Sequence, residues 1–360
     1  MADSYIIYIG TWLMCWCLAR FADRFNSKKT VWVIVILLSL LSGLRAASVG
    51  LDTPAYVRAF GYIQEGEFRY AYGLEESFKY FCFVVLKIFN DHSVLLTILA
   101  LISNGCILFR LWDLRKYAAF GTMVSCYYMA HFFLSLNIMR QYCAIAILFY
   151  FTKYLVKHKY ARYILGIALA SIFHQTALIG ISFLAFGLLR WKELTIWKKL
   201  GFIASIASFP LILYYVLLRF ARYEGYLTNQ NAELGLMIPV KLLFFLFTVF
   251  FIFGLYGKRK HFWNWSNMEL YEKNNVFLAC IVYFVGLLLL AVGYIIPIMH
   301  RVALYFTVFE GVYLGILVRT RHKGHRFVFG LCALVLVGYG FYEALTNNPQ
   351  GTMPYLFVWQ

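Results

Sequence analysis

The stretch SLNIMRQYCA, residues 135–144, has the residue types and the spacing of an anion site. Asn137, Arg140 and Gln141 are three or four residues apart and would share one face of a helix. A helix N-terminus that carries an arginine and amide side chains can bind a phosphate group through its N–H donors. The stretch therefore predicts a phosphate site where this helix begins.

Further polar groups lie at the ends of apolar segments, and each has a structural alternative. Arg45 follows an apolar run and could bind an anion, or it could anchor a span at the membrane surface. Asp52, in VGLDTPAY, could react or could cap the helix that follows it. His174 lies within an apolar stretch, where a histidine is either catalytic or structural. His300 and Arg301 follow a proline at another segment end.

The composition places these residues in a membrane protein. The chain has 360 residues, of which 62% are hydrophobic and 14% charged, whereas soluble domains are about 45–50% apolar and about 25% charged. Apolar stretches of about 20 residues recur along the chain, and they do not alternate in polarity as the strands of membrane barrels do. We therefore expect an all-α, polytopic integral membrane protein with a single domain over residues 1–360.

The net charge of +17 predicts a topology and not a nucleic-acid partner. Cytoplasmic loops of membrane proteins collect Lys and Arg, and most of the 33 Lys and Arg of this chain lie in six loops. These loops are residues 20–29, 110–116, 153–162, 190–199, 258–273 and 319–326. Placing all six inside predicts about twelve spans, with both termini outside.

Two segments fit this topology only if they do not cross the membrane as single spans. Residues 160–189 separate two cytoplasmic loops, so we expect a helical hairpin that turns at His174. Residues 77–90 follow Glu76, and that residue, Lys79, Lys87 and Asn90 share one helical face. This pattern predicts an amphipathic helix in the outer interface. The helix ends an outer loop, residues 48–91, and a second outer loop covers residues 219–239.

The remaining cations lie on the outer side, where the charge rule does not place them. A charge within the bilayer costs about 2.5–3.5 kcal/mol, so such residues tend to line wet cavities. We expect an outward-facing cavity that binds an anionic, lipid-tethered ligand, and a polyprenyl diphosphate has this chemistry. Tyr56 in the outer loop could stack on a sugar ring, although tyrosines are also common at membrane interfaces.

The sequence contains no phosphate-binding GxxxxGK[ST] loop, no GxGxxG, no HExxH and no DxD motif. These motifs are typical of ATP-driven, dinucleotide-dependent, zinc-dependent and nucleotide-sugar enzymes. We therefore expect chemistry on a ligand that is already outside the cytosol, and we expect it to need no metal.

Five short motifs, in this order, resemble the EpsG family of Wzy-like polysaccharide polymerases. They are RAASVGLDTPAYVRAF (45–60), LEESF (74–78), NIMRQYCAIAI (137–147), FHQTALI (173–179) and RVALYF (301–306). The family usually has a small residue where this chain has Leu51, and it has a serine in the segment after His174, where this chain has QTAL. Neither departure removes a charged group.

The resemblance implies glycosyl transfer at the outer face of a bacterial cytoplasmic (inner) membrane. A glycan on undecaprenyl diphosphate would be moved onto another lipid-linked repeat unit, with no cofactor. The residues that would hold the substrate and its leaving diphosphate are Arg45, Arg140, Arg301, Asn137, Gln141, Tyr56 and His300. The candidates for the general base are Asp52, His174 and Glu75. Membrane lipids, a chain-length regulator and a flippase are the expected partners.

Other functions handle the same lipid diphosphate or act on the same sugars. An O-antigen ligase passes the glycan to lipid A core, but ligases usually have a long outer loop late in the chain, and here the longest outer loop is early. A flippase typically shows internal repeats, which this sequence lacks by eye. A membrane acyltransferase would need an inner histidine near its donor, and the inner histidines lie among basic residues. We favour the polymerase and keep the ligase and the flippase as alternatives.

Overall fold

The computed structural model describes residues 2–188, 208, 237–249, 269–320 and 323–360, and these residues are helical with connecting loops. The helices are α1 (Ala2–Phe25), α2 (Lys28–Gly43), α3 (Thr53–Glu65), α4 (Glu76–Phe89), α5 (His92–Leu114), α6 (Phe120–Tyr127), α7 (Phe133–Asn137), α8 (Met139–Leu155), α9 (Tyr160–Phe173), α10 (Ile181–Leu188), α11 (Met237–Val249), α12 (Leu270–Val292), α13 (Ile298–Thr307), α14 (Glu310–Val318) and α15 (Lys323–Thr346). A π turn, Tyr128–Phe132, joins α6 to α7, and 3-10 turns cover Phe68–Tyr70 and Gln175–Gly180. The prediction of an all-α membrane protein is confirmed at this level.

Five helical segments of the described residues are long and apolar enough to cross a membrane. They are Ala2–Phe25, His92–Leu114, Lys273–Val292, Ile298–Val318 and Lys323–Thr346. The count of about twelve spans stays a prediction. The predicted outer loop at residues 219–239 lies outside the described residues, except for its last three, which belong to α11.

Several helices of the core pack closely together at glycine residues. A Cβ atom on Gly43 would overlap Thr97, so α2 and α5 approach each other closely. Gly166 lies in the same way against Phe151, which brings α9 onto α8. In membranes, such contacts between small residues and neighbouring helices supply much of the packing energy.

The predicted interfacial helix is α4, a helix of 14 residues that is not among the five candidate spans. One residue of its expected polar face is placed differently: Lys79 is only 6% exposed. Its Nζ donates to the carbonyl oxygen of Phe68 at 3.0 Å and pairs with Glu76 at 2.7 Å. The 3-10 turn that covers Lys79 lies in the preceding loop, and a helical-face pattern contains no information about such a turn.

The chain leaves helical geometry at His174, which follows α9 and has an extended backbone conformation. The Tyr163 hydroxyl, near the start of α9, donates to the carbonyl oxygen of Gly180 at 2.9 Å. The residues after His174 therefore return along α9.

The two ends of α1 define two ends of the molecule, about 35 Å apart for a helix of this length. At the terminal end, the C-terminal segment contacts both the start of α1 and residues 44–51. The Tyr355 N–H donates to Ser4 Oγ at 2.9 Å, and the Ala46 N–H donates to the Leu356 carbonyl at 2.8 Å. At the opposite, basic end, Arg115 donates to Asn26 Oδ1 at 2.6 Å and Arg319 lies 4.0 Å from Asp23.

Candidate active site

Glu75, Arg140 and His174 come together although long stretches of sequence separate them. The Arg140 guanidinium forms an ion pair with Glu75 Oε2, and His174 Nδ1 lies 2.7 Å from Glu75 Oε1. The Glu75 side chain is 2% exposed, whereas those of Arg140 and His174 are 14% and 18% exposed. We call these three residues the Glu75 cluster. It has a buried carboxylate and a partly accessible cation and imidazole.

Each member of the cluster lies at a helix end. Glu75 is the residue before α4 and has an extended backbone conformation, and its side chain does not cap the helix. Arg140 is in the first turn of α8, directly after the break at Ile138. His174 lies between α9 and the 3-10 turn that follows it. Three interruptions of regular helix thus meet at one point, near the terminal end of the molecule.

The electrostatics of the cluster keep Glu75 ionised. Burial alone would raise the pKa of Glu75, but the hydrogen bond with His174 and the charge of Arg140 outweigh it and lower this pKa to about 2. An ionised carboxylate can only accept a hydrogen bond. The hydrogen between Glu75 and His174 is therefore placed on Nδ1, and in the neutral form of the ring the other nitrogen, Nε2, is the proton acceptor.

Arg140 is held by several groups besides Glu75. Its Nε donates to the Tyr56 hydroxyl at 3.1 Å, and its Nη1 donates to the Gly73 carbonyl at 3.3 Å. The guanidinium carbon lies 5.6 Å from the Tyr56 ring and 5.7 Å from the Phe78 ring. These contacts occupy Nε and Nη1, and among the described residues Nη2 has no hydrogen-bond partner, so it could bind an anion. Tyr56 thus orients Arg140 through its hydroxyl.

Helix α13 brings a second arginine towards the cluster. Gln141, the neighbour of Arg140, donates to the carbonyl oxygen of Arg301 at 2.7 Å. The hydroxyls of Thr176 and Tyr305 lie 2.9 Å apart, so α13 also contacts the turn after His174. The Arg301 side chain is exposed. The contact of Gln141 is with the Arg301 backbone, and it therefore fixes the position of α13.

The sequence profile of the EpsG family matches residues 28–357, nearly the whole chain. The chain belongs to the EpsG family. This confirms the resemblance in the sequence motifs. No curated protein and no solved structure matches the chain.

In this EpsG family member, Arg45, which the sequence predicted to bind phosphate, hydrogen-bonds to backbone carbonyls of the protein itself. It is 3% exposed. Its Nε donates to the Val49 carbonyl at 3.2 Å, its Nη2 donates to the Leu136 carbonyl at 2.8 Å, and its Nη1 donates to Ser42. Carbonyl oxygens at the end of α2 and in the loops compete for the donors that a diphosphate would use. Arg45 therefore ties residues 42–49 to the end of α7.

Asp52 and Asn137 connect the same loop to the C-terminal segment. The Asp52 N–H donates to Asn137 Oδ1 at 2.7 Å, and Asn137 Nδ2 donates to Gln350 Oε1 at 2.9 Å. Asn137 is buried between these partners and positions the Asp52 loop. The Asp52 carboxylate does not cap α3. No hydrogen bond joins it to the Glu75 cluster within the described residues.

His300 is half-buried, and its ring lies edge-on to Tyr294 at 5.5 Å between ring centres. Its ring also lies so close to Gly293 that a Cβ atom there would overlap it. Gly293 and Tyr294, in the loop before α13, thus fix the position of the imidazole. His300 is the residue before Arg301. In the part of the chain that the structure describes, no three His, Cys, Asp or Glu side chains form a group that could hold a metal ion.

The sequence reasoning missed a buried ion pair. Glu310, 3% exposed, lies within the candidate span Ile298–Val318 and pairs with Lys241 of α11 at 2.8 Å. The Tyr283 hydroxyl donates to the same carboxylate oxygen at 3.0 Å. The available signal was an acidic residue inside an apolar segment, which marks a paired or functional position.

Proposed function

We propose that this EpsG family protein is a polysaccharide polymerase. It joins oligosaccharide repeat units carried on undecaprenyl diphosphate, at the outer face of the bacterial cytoplasmic membrane. The observation that carries the proposal is the Glu75 cluster, in which one carboxylate holds both an imidazole and a partly accessible guanidinium group. Glycosyl transfer with a diphosphate leaving group needs both of these groups, a base and a cation.

In the proposed reaction, His174 is the general base. The hydroxyl oxygen at the non-reducing end of the acceptor glycan attacks the anomeric carbon of the donor glycan. The hydroxyl proton passes to His174 Nε2, and Glu75 stabilises the imidazolium that forms, since it accepts the Nδ1–H. Glu75 is thus a positioning residue, and it does not itself take the proton.

The bond between the anomeric carbon and the diphosphate oxygen breaks in the same step, and its electron pair stays on the diphosphate. Arg140 supports this charge through Nη2, while Glu75 and Tyr56 fix the rest of its guanidinium group. Arg301 supplies a second positive charge from α13, whose position depends on Gln141. No nucleotide sugar enters this scheme, because the donor already carries its leaving group.

The test is a purified assay in lipid nanodiscs, with lipid-diphosphate repeat units from the host and without added nucleotide sugar or metal. The expected product is a ladder of glycans on lipid diphosphate. The variants Glu75→Gln, Arg140→Lys and His174→Gln should lose the ladder at unchanged protein level. The control Glu76→Gln changes the neighbouring acid, which is exposed and pairs with Lys79, and it should keep the ladder.

Three results would contradict the proposal, and the first two would point to another function. Single repeat units that remain on the cytosolic leaflet in a deletion strain would point to a flippase. In the same deletion strain, a normal lipid-linked ladder with no glycan attached to lipid A core would point to a ligase. A wild-type ladder from the Glu75→Gln and His174→Gln proteins would remove the cluster from the chemistry.

A further inference from the structure

A cavity of about 330 Å³, lined by both polar and apolar side chains, lies beside α3, away from the Glu75 cluster. Its volume is at the lower end of the range of about 300–1,000 Å³ that small-molecule sites occupy. The cavity includes Asn90, the residue that ends α4, whereas Glu75 precedes the same helix. A helix of 14 residues separates the cavity from the cluster by about 20 Å.

Amide groups at the cavity wall present a donor beside an acceptor. Gln64 Nε2 donates to Asn90 Oδ1, and both residues line the cavity. This bond uses one donor of Gln64 and the acceptor of Asn90. The Gln64 carbonyl oxygen can still accept and the Asn90 amide nitrogen can still donate, which suits the hydroxyl groups of a ligand, since each hydroxyl can donate and accept.

His92, at the start of α5, adds a polar atom without a partner. Its ring lines the cavity and packs near Phe60, at 6.2 Å between ring centres. Its Nε2 is buried and has no hydrogen-bond partner in the part of the chain that the structure describes. A buried nitrogen without a partner is unfavourable, and a ligand hydroxyl that reached it would supply the missing hydrogen bond.

The charges around the cavity disfavour an anion. The Asp91 carboxylate lines the cavity and accepts the Ser93 N–H at 2.6 Å, so it occupies the N-terminus of α5 and brings a negative charge. Arg45 also lines the cavity, but its guanidinium donates to backbone carbonyls. A phosphate would meet a carboxylate and no available cation. A neutral ligand rich in hydroxyl groups fits these groups better.

We propose that this cavity is a second glycan site, which holds an uncharged sugar of the growing chain while transfer occurs at the Glu75 cluster. The inference rests on the proposed function for the kind of ligand. A glycan-binding site about 20 Å from the reacting end would keep the product bound to the protein between additions. Loss of the cavity contacts should therefore shorten the polymer without stopping single transfers.

The first experiment measures binding of the lipid-free repeat-unit oligosaccharide, released from the host polymer, to the full-length protein in nanodiscs by calorimetry. The double variant Gln64→Leu, Asn90→Gly removes the amide pair. Glycine suits position 90, because the backbone there has a φ of 52°. We expect at least a tenfold loss of affinity in the double variant, and wild-type affinity in the control Glu65→Gln.

The single variant Gln64→Met, which keeps the side-chain length, is the safeguard against a folding defect and should also weaken binding. Unchanged affinity in both cavity variants would overturn the inference. A second measurement compares ladder lengths, and we expect the cavity variants to give shorter ladders at a normal rate of first addition. If Glu75→Gln polymerises normally and the cavity variants still lose glycan binding, the proposed transfer site fails and the second glycan site stands.

Discussion

The basic end and the Glu75 cluster use cations in different ways. At the basic end, Arg115 lies 3.7 Å from the centre of the Trp112 ring, and Lys153 lies 3.4 Å from that of Tyr150. Arg319 and Asp23 form a loose pair, with both side chains more than a third exposed. In the cluster, a single arginine contacts a buried carboxylate, a tyrosine hydroxyl and a backbone carbonyl.

This difference shows that the number of cations in a region matters less than whether each cation has a buried partner. Exposed pairs contribute about 0–1 kcal/mol, because water and salt screen them. Buried pairs act over short distances in a low dielectric, and removing one partner leaves a costly unpaired charge. The many cations of the basic end fit a role in membrane orientation, whereas the few cations of the cluster fit a role in binding and chemistry.

The largest expected effect comes from His174. His174→Gln keeps a polar side chain but removes the proton acceptor, so the rate of polymerisation should fall about 10²–10⁴-fold. The matched control is His158→Gln at an exposed position, where the imidazole contacts Tyr160. Equal polymerisation rates for His174→Gln and His158→Gln would show that the Glu75 cluster has no special role in the reaction.

Arg45 should behave as a structural residue. Arg45→Met leaves several buried carbonyls without donors, each at about 1–3 kcal/mol, and should lower the free energy of unfolding by on the order of 3–5 kcal/mol. Arg58→Met, on the exposed side of α3, should stay within about 0.5 kcal/mol. Thermal melting measures both. A normal melting temperature for Arg45→Met with lost activity would instead support direct diphosphate binding by Arg45.

Acid should remove the contribution of Glu75 to stability. The folded-state pKa of Glu75 is lowered to about 2, below the value of about 4.3 for an unfolded glutamate. The stabilisation, roughly 3 kcal/mol, is therefore present above about pH 4.3 and is lost as the pH falls towards 2.

Melting temperatures of wild type and Glu75→Gln should differ most at neutral pH and converge between about pH 4 and pH 2. Glu76→Gln serves as the control, because Glu76 is exposed. A difference for Glu75→Gln that stays constant down to pH 2 would contradict the ion pair with Arg140.

The smallest effect is expected for Asp23→Asn at the basic end. The pair with Arg319 is loose and exposed, so the variant should change the free energy of unfolding by about 0–1 kcal/mol. Added salt should reduce even this difference. A loss of several kcal/mol would show that the basic end is organised as tightly as the cluster.

The sequence allowed much of the fold to be predicted but less of the site. Apolar length predicted the candidate spans, and the charges on one face of residues 77–90 predicted a separate amphipathic helix, which is α4. Helical spacing predicted Asn137, Arg140 and Gln141 on one face of a single helix. The structure has Arg140 and Gln141 in the first turn of α8, but Asn137 ends α7, before the break at Ile138. Spacing could not reveal that Glu75 lies between Arg140 and His174, because those contacts depend on three separate helix ends.

Arg45 shows the limit most clearly. An arginine after an apolar segment fits an anion site, a membrane anchor or a buried hydrogen-bonding role equally well from residue type alone. The backbone carbonyls of Val49 and Leu136 decide among these roles, and their positions depend on how α2 meets the end of α7. Lys79 is similar, since the turn that covers it belongs to another segment.

The sequence by itself determined the membrane class, the family and the uneven distribution of charge, because these depend on composition and on motifs that are local in the chain. Only the tertiary structure decided which charges are paired. Ion pairs and hydrogen bonds act over a few ångströms, and residues such as Glu75 and His174 reach that distance only after the helices have packed.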